Sequence, residues 1–139
     1  LLCSSQGERV LTADEFQVGM LETACAPDEM IRMLRFPKAE ISSGYGFGEV
    51  AYRHGDFAIV AVAVVANSNG IRIAVGGATE KPEVHEWPLL EGKVLDDALN
   101  DLARNLNVVE DHHATAHYRQ TLIRALGRKV VEEAISCRG

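Results

Sequence analysis

Cysteine is scarce and unpaired in this sequence. Cys3, Cys25 and Cys137 are odd in number and widely spaced, which leaves no disulfide framework and no paired CxxC metal motif. Thiols of this kind read as reduced, in a cytoplasmic protein. No apolar run approaches the roughly 18 residues of a membrane span, and Leu1-Leu2-Cys3 is too short for a signal-peptide core. An excess of positive charge is also missing. The formal net charge is −6, whereas a nucleic-acid partner would need a basic face. No internal repeat or low-complexity tract interrupts the 139 residues, so one domain is expected, or one domain with a piece of another. Apolar residues make up 47% of the chain and charged ones 24%, enough for a sizeable core without disulfides or metal. The chain opens on Leu1 rather than Met and is expected to be a fragment or processed product that begins inside an element.

What is present is organised around residues 44–66, GYGFGEVAYRHGDFAIVAVAVVA. The pattern predicts a strand, a tight polar turn at Arg53-His54-Gly55-Asp56, and a second, longer strand. From Phe57 to Val65 both alternating sets are apolar: Phe57, Ile59, Ala61, Ala63 and Val65 on one side, Ala58, Val60, Val62 and Val64 on the other. A strand with one wet face would alternate apolar with polar. This strand is therefore expected to be covered on both faces, by something beyond the helices of a small domain. An apolar patch left open predicts association, with a missing domain, a partner subunit or a second copy.

Downstream, Asn67-Ser68-Asn69-Gly70 predicts a hairpin turn, Ile71, Ile73 and Val75 a returning strand, and Val84 to Trp87 a shorter fourth one. Leu95, Ala98, Leu99, Leu102, Ala103 and Leu106 then mark one stripe of a helix, with Asp96 and Asp97 in its first turn. A last helix over about 114–135 is expected to bury Tyr118, Leu122, Ala125, Leu126, Val130 and Ala134, with Arg119, Arg124, Arg128 and Glu132 on its opposite side. The fold class is α+β: a small antiparallel sheet of three to four strands with a layer of C-terminal helices. Upstream, 9–12 and 30–36 predict short strands, Asp14-Glu15-Phe16 a helical turn, and Pro37 a stop. Residues 1–37 resemble the last strands of another domain, and 38–139 form the α+β domain.

Three clusters invite a chemical reading. Gly44, Gly46 and Gly48 lie in a strand, whereas a dinucleotide fingerprint follows a strand and opens a helix. Glycine within a strand instead marks a bulge or a surface that something approaches closely. A flat aromatic ligand there would pack on Tyr45 and Phe47, although both rings read equally well as core. His113 and His117, at i,i+4, share a helix face as metal ligands do, but Ala stands where HExxH chemistry needs Glu, and a solvated helix start explains the run. No metal ligands and no catalytic residues are assigned. His54 with Asp56 reads as turn chemistry rather than as a base and its orienter.

Taken together, the residues resemble one family. Gly44 to Ala58 is similar to the start of the C-terminal domain of the flavin subunits of molybdenum hydroxylases, a family that includes carbon monoxide dehydrogenase medium subunits and the flavin domain of xanthine dehydrogenase. Leu90-Glu91-Gly92-Lys93 and Ala116-His117-Tyr118-Arg119 fit the same pattern. Gly7-Glu8-Arg9, Asp14-Glu15-Phe16, Pro27-Asp28-Glu29 and Phe36-Pro37 resemble the end of the preceding flavin-binding domain. The resemblance implies a subunit that passes electrons from iron–sulfur clusters through FAD to an acceptor, after substrate is hydroxylated at a molybdenum cofactor. Its implied partners are the N-terminal FAD-binding domain and the iron–sulfur and molybdenum subunits. By position in the motifs, Ile31, Phe47 and Gly48 match places near the isoalloxazine, and Tyr45 is a further candidate for covering the ring. Two departures stand out: Gly48 replaces a longer polar side chain, and Tyr52 replaces an arginine, leaving Arg53 alone. The glycine loops that hold the flavin diphosphate in this family are absent, so FAD is not expected to be held by this chain alone. A domain of this fold that docks or dimerises without flavin is the alternative.

Overall fold

The computed structural model describes all 139 residues and divides into two compact units, Leu1–Lys38 and Ala39–Gly139.

The second unit is built on a four-stranded antiparallel sheet in the order β6-β7-β8-β9, from β6 (Gly44–Ala51), β7 (Ala58–Asn67), β8 (Gly70–Gly76) and β9 (Glu83–Trp87). Two helices follow, α2 (Gly92–Asn105) and α3 (Ala116–Ser136). Each turn has local chemistry that closes it. Gly55 at φ +89° lets the Asp56 N–H reach the Arg53 carbonyl at 3.1 Å. Asn67 Oδ1 accepts the Asn69 N–H at 2.9 Å, and Gly70 takes φ +142°, as a short hairpin requires.

One face of the sheet carries Val60, Val62, Val64, Ala66, Ile71, Ile73 and Val75, all buried against Leu95, Leu99 and Leu102 of α2 and Ile123, Val130 and Val131 of α3. Each fully buried aliphatic of this kind contributes about 1.5–3 kcal/mol, so this face holds the domain together. Strand β6 meets the core with glycine. Register pairs Gly44 with Ala66, Gly46 with Val64 and Gly48 with Val62, which places all three on the helix side. A Cβ at Gly44 would lie 1.8 Å from the Ala134 carbonyl oxygen, and one at Gly46 would lie 2.5 Å from that of Val130. The glycines of β6 are the seat of α3.

The helices depart from expectation in two respects. Helix α2 begins at Gly92, so Asp96 and Asp97 fall beyond its first turn, which carries no acidic residue. In α3 the buried line is Arg119, Ile123, Gly127, Val130, Val131 and Ala134, while Tyr118 is 45% exposed and Ala125 lies at the surface. Arg119, expected in solvent, is 3% exposed. Counting from Arg119 in steps of four gives Ile123, Gly127 and Val131, one face of a helix. Gly127 sits there because α2 crosses it, with Leu99 Cδ2 2.7 Å from the position its Cβ would take.

The first unit has little core. Its three-stranded sheet runs β2-β1-β5, with β1 (Leu2–Ser4), β2 (Gly7–Arg9) and β5 (Met30–Ile31). Between β2 and β5 come a one-turn helix α1 (Ala13–Phe16) and a hairpin of β3 (Gln17–Gly19) and β4 (Glu22–Thr23). The strand expected over 9–12 ends at Arg9, because Thr12 is taken by a reciprocal capping box with Glu15. The strand expected over 30–36 stops at Ile31. Its partner β1 offers only Leu2 and Cys3, and the Leu1 carbonyl then takes the Arg32 N–H.

Candidate functional site

The outer face of the four-stranded sheet is the candidate. Its register rows are Tyr45–Val65–Arg72–Glu86, Phe47–Ala63–Ala74–Val84 and Glu49–Ala61–Gly76. Phe47 is 62% exposed and Tyr45 44%, while the two central strands present only small side chains in the second row. The expectation that both faces of β7 are covered holds for the helix side and, in the other set, for Ile59 alone, which is buried: Ala63 is exposed, Ala61 and Val65 are half-buried, and Phe57 is open to solvent. The result is a small apolar patch of Val65, Ala63 and Ala74 with aromatic rings on its β6 side, bordered by Glu49 and by the exposed Arg72–Glu86 pair at 3.7 Å, and a flat group can lie on that patch. Tyr45 is fixed at that wall, because its hydroxyl accepts the Glu40 N–H at 2.8 Å.

The predicted site residues are therefore not all alike. Tyr45 and Phe47, two residues apart, share the outer face. Gly48 points the other way, where a Cβ would meet Leu126 Cδ1 at 2.7 Å and Val130 Cγ2 at 2.9 Å. A longer side chain at 48 would collide with α3, so only its backbone, on an edge strand, faces outward. Ile31 lies in the other unit, on β5 opposite Leu2, and is 48% exposed. As a test for a flavin, the outer face fits the ring as a wall. The β6 glycines do not fit the diphosphate, because α3 fills the space above them.

Two ion-pair clusters escaped the sequence reading. Arg119 donates to the carbonyls of Ile59 at 2.6 Å and Gly77 at 2.7 Å, and to Asp111 Oδ2 at 2.6 Å. It thereby ties the start of β7 and the end of β8 to the segment before α3. The N–H groups of His113 first, then of Ala114, together with the Arg119 guanidinium, lower the Asp111 pKa to about 2. In the first unit, Arg9 grips both oxygens of Glu29 at 2.6 and 2.8 Å, and with the Ala26 N–H lowers the Glu29 pKa to about 2. The spacing of Arg119 to Ile123 was a usable signal; the 20 residues between Arg9 and Glu29 offer none. His112 and His113 stack with ring centroids 3.8 Å apart, and Tyr52 lies 6.4 Å from His113. No group of three or more His, Cys, Asp or Glu is placed to hold a metal ion, and no helix is long and apolar enough to cross a membrane.

The chain is 34% identical over 145 residues to the nicotine 6-hydroxylase medium subunit of Paenarthrobacter nicotinovorans, covering 94% of this chain and 50% of that protein. It is 33% identical over 149 residues to the caffeine dehydrogenase subunit beta of a Pseudomonas species, covering 96% and 50%. The chain thus spans about half the length of the curated relatives it matches. Among solved structures, a carbon monoxide dehydrogenase from Hydrogenophaga pseudoflava superposes with a TM-score of 0.87 at 19% identity, over 99% of this chain and 52% of that one. Quinoline 2-oxidoreductase from Pseudomonas putida 86 gives 0.77 at 22% identity, over 97% and 51%. At such identities these two likenesses establish the fold. Residues 46–134, the span from the glycine strand to the end of α3, match the family model itself: this chain belongs to the CO dehydrogenase flavoprotein C-terminal domain family.

Proposed function

We propose that this chain is the C-terminal part of the FAD-binding subunit of a molybdenum hydroxylase, residues 1–37 being the tail of its flavin-binding domain. The subunit passes electrons from iron–sulfur clusters through FAD to an acceptor, in a cytoplasmic complex with iron–sulfur and molybdenum subunits. The observation that carries this reading is the exposed aromatic pair Tyr45 and Phe47 on the outer face of the sheet, on the strand where the family match begins. FAD, when bound, supplies the electron-accepting chemistry. The chain's own part is to contact and orient the ring: in the second unit Tyr45 and Phe47 are the candidates by side chain and Gly48 by backbone, and in the first unit, taken by itself, Ile31 is the candidate.

Fluorescence titration with FAD tests this. The chain alone should leave FAD fluorescence unchanged, since nothing on β6 cradles the diphosphate. The complete subunit should quench it, and Phe47→Ser in that subunit should weaken binding about tenfold, the order expected for losing one aromatic contact. A complete subunit that takes up no flavin refutes the proposal and leaves a docking or dimerising domain of the same fold.

A further inference from the structure

Strand β5 is too short to place itself. It is two residues long and makes two register pairs with β1, Leu2–Ile31 and Cys3–Met30, continued beyond Ile31 by the Arg32 N–H to the Leu1 carbonyl at 3.0 Å and the Leu1 ammonium to the Met33 carbonyl at 2.9 Å, whereas even a full hairpin is marginal in water. The backbone leading into it is held from elsewhere. Arg9 ends β2, on the far side of β1, and Leu2 pairs with Arg9 on one side and Ile31 on the other. Arg9, Leu2 and Ile31 therefore form one row across the sheet, with their side chains on one face. From there the Arg9 guanidinium makes three bonds, to Glu29 Oε1 at 2.6 Å, Glu29 Oε2 at 2.8 Å and the Ala24 carbonyl at 2.6 Å. Glu29 Oε2 also accepts the Ala26 N–H at 2.8 Å, and the Glu29 N–H returns to the Ala26 carbonyl at 3.0 Å. The whole turn from Ala24 to Glu29 is locked to one side chain, two residues ahead of Ile31.

We infer that Arg9, acting through Glu29, is a positioning residue for Ile31, setting how that side chain is presented to the flavin; this rests on the reading above that Ile31 lies at the ring. The Arg9 side chain is 45% exposed and that of Glu29 only 11%, so this bidentate pair adds to the stability of the turn as well as to its geometry. The pair also supplies direction, because a planar fork engaging a carboxylate and a carbonyl together fixes orientation in a way a lysine ammonium cannot.

The test uses Arg9→Lys, Glu29→Gln and Ile31→Ala in the complete flavin-loaded subunit, reading the flavin absorption bands and midpoint potential beside the thermal midpoint. Arg9→Lys, which keeps the charge, should shift the flavin bands and potential in the same direction as Ile31→Ala while lowering the thermal midpoint less than Glu29→Gln does. The double variant should shift no further than Ile31→Ala alone, the non-additivity of two residues acting in series. Hydrogen exchange gives a flavin-free readout: Arg9→Lys should speed exchange at Ala26 and Met30 by about tenfold or more and leave β6 to β9 unchanged. A flavin spectrum that responds to Ile31→Ala but not to Arg9→Lys or Glu29→Gln overturns the inference and leaves the flavin reading standing. A bound flavin indifferent to Ile31→Ala overturns both the inference and the placement of Ile31. A complete subunit that stays colourless overturns the inference together with the proposed function.

Discussion

Alanine substitution along β6 should destabilise the domain in a fixed order, Gly44 worst, Gly46 next and Gly48 least. The order follows from what a new methyl would strike. At Gly44 it meets the Ala134 carbonyl oxygen at 1.8 Å and the Arg138 amide nitrogen at 2.9 Å. Both are backbone, so α3 must lift from the sheet as a body. Overpacking costs about 1–3 kcal/mol and occasionally more, and Gly44→Ala belongs at or above the top of that range. At Gly46 the obstacle is the Val130 carbonyl at 2.5 Å, with Val130 Cγ1 at 3.0 Å, which points to about 2 kcal/mol. At Gly48 the methyl meets only the ends of the Leu126 and Val130 side chains. Leu126 is half-buried and has room to rotate, and replacing a strand glycine by alanine recovers about 0.5–1 kcal/mol of chain entropy. Gly48→Ala should therefore fall within about 1 kcal/mol of wild type. Urea unfolding, followed by far-UV circular dichroism and by the single tryptophan, Trp87, reads these differences. With a slope of about 1–3 kcal/mol per molar urea, Gly44→Ala should lower the midpoint by roughly 1 M or more. If Gly44→Ala matches wild type, or Gly48→Ala is the worst of the three, α3 is not seated on the glycines of β6 and the packing argument fails.

Other expectations follow from the same geometry. Arg119→Met should cost about 3 kcal/mol in urea unfolding, because the buried Ile59 carbonyl and the part-buried Gly77 carbonyl lose their donor; Arg119→Lys, with fewer donors, should fall between that variant and wild type, and a neutral Arg119→Met would remove the strut from the account. The Asp111 pKa is lowered from 3.8 to about 2, so its contribution is whole above pH 4 and lost as pH falls through about 2; in Asp111→Asn that part of the acid sensitivity should vanish from a pH series of thermal midpoints. Leu21 holds φ +56° at the tip of the β3–β4 hairpin, where a side chain costs about 1–2 kcal/mol, so Leu21→Gly should raise the stability of the first unit, and faster proteolysis there would contradict this. Phe47→Ser should leave the urea midpoint of the chain unchanged within about 0.5 kcal/mol, as expected for an exposed position, and a large loss would make Phe47 part of the core.

The legible parts of this chain were those written in local pattern. The apolar run of β7, the Asn67–Gly70 turn and the leucine stripe of α2 are dictated by period and turn chemistry, which act over a few residues. They determined the four-stranded antiparallel sheet, its helical layer and, through Gly44 to Ala58, the family. What the pattern left open was which element lies against which. Three glycines two residues apart are the same string whether a ligand or a helix approaches them, and only the placement of α3 decided for the helix. An arginine in a helix reads as solvated, and only the convergence of Ile59, Gly77 and Asp111 on one buried point made Arg119 a strut. Arg9 and Glu29 are 20 residues apart, and no periodicity links such a pair. Sequence by itself determined the strands and helices of the second unit and the hairpin order of its sheet, because turn chemistry and side-chain alternation are local. The tertiary structure alone decided the inner and outer faces of the sheet, since burial depends on what other parts of the chain come to rest there.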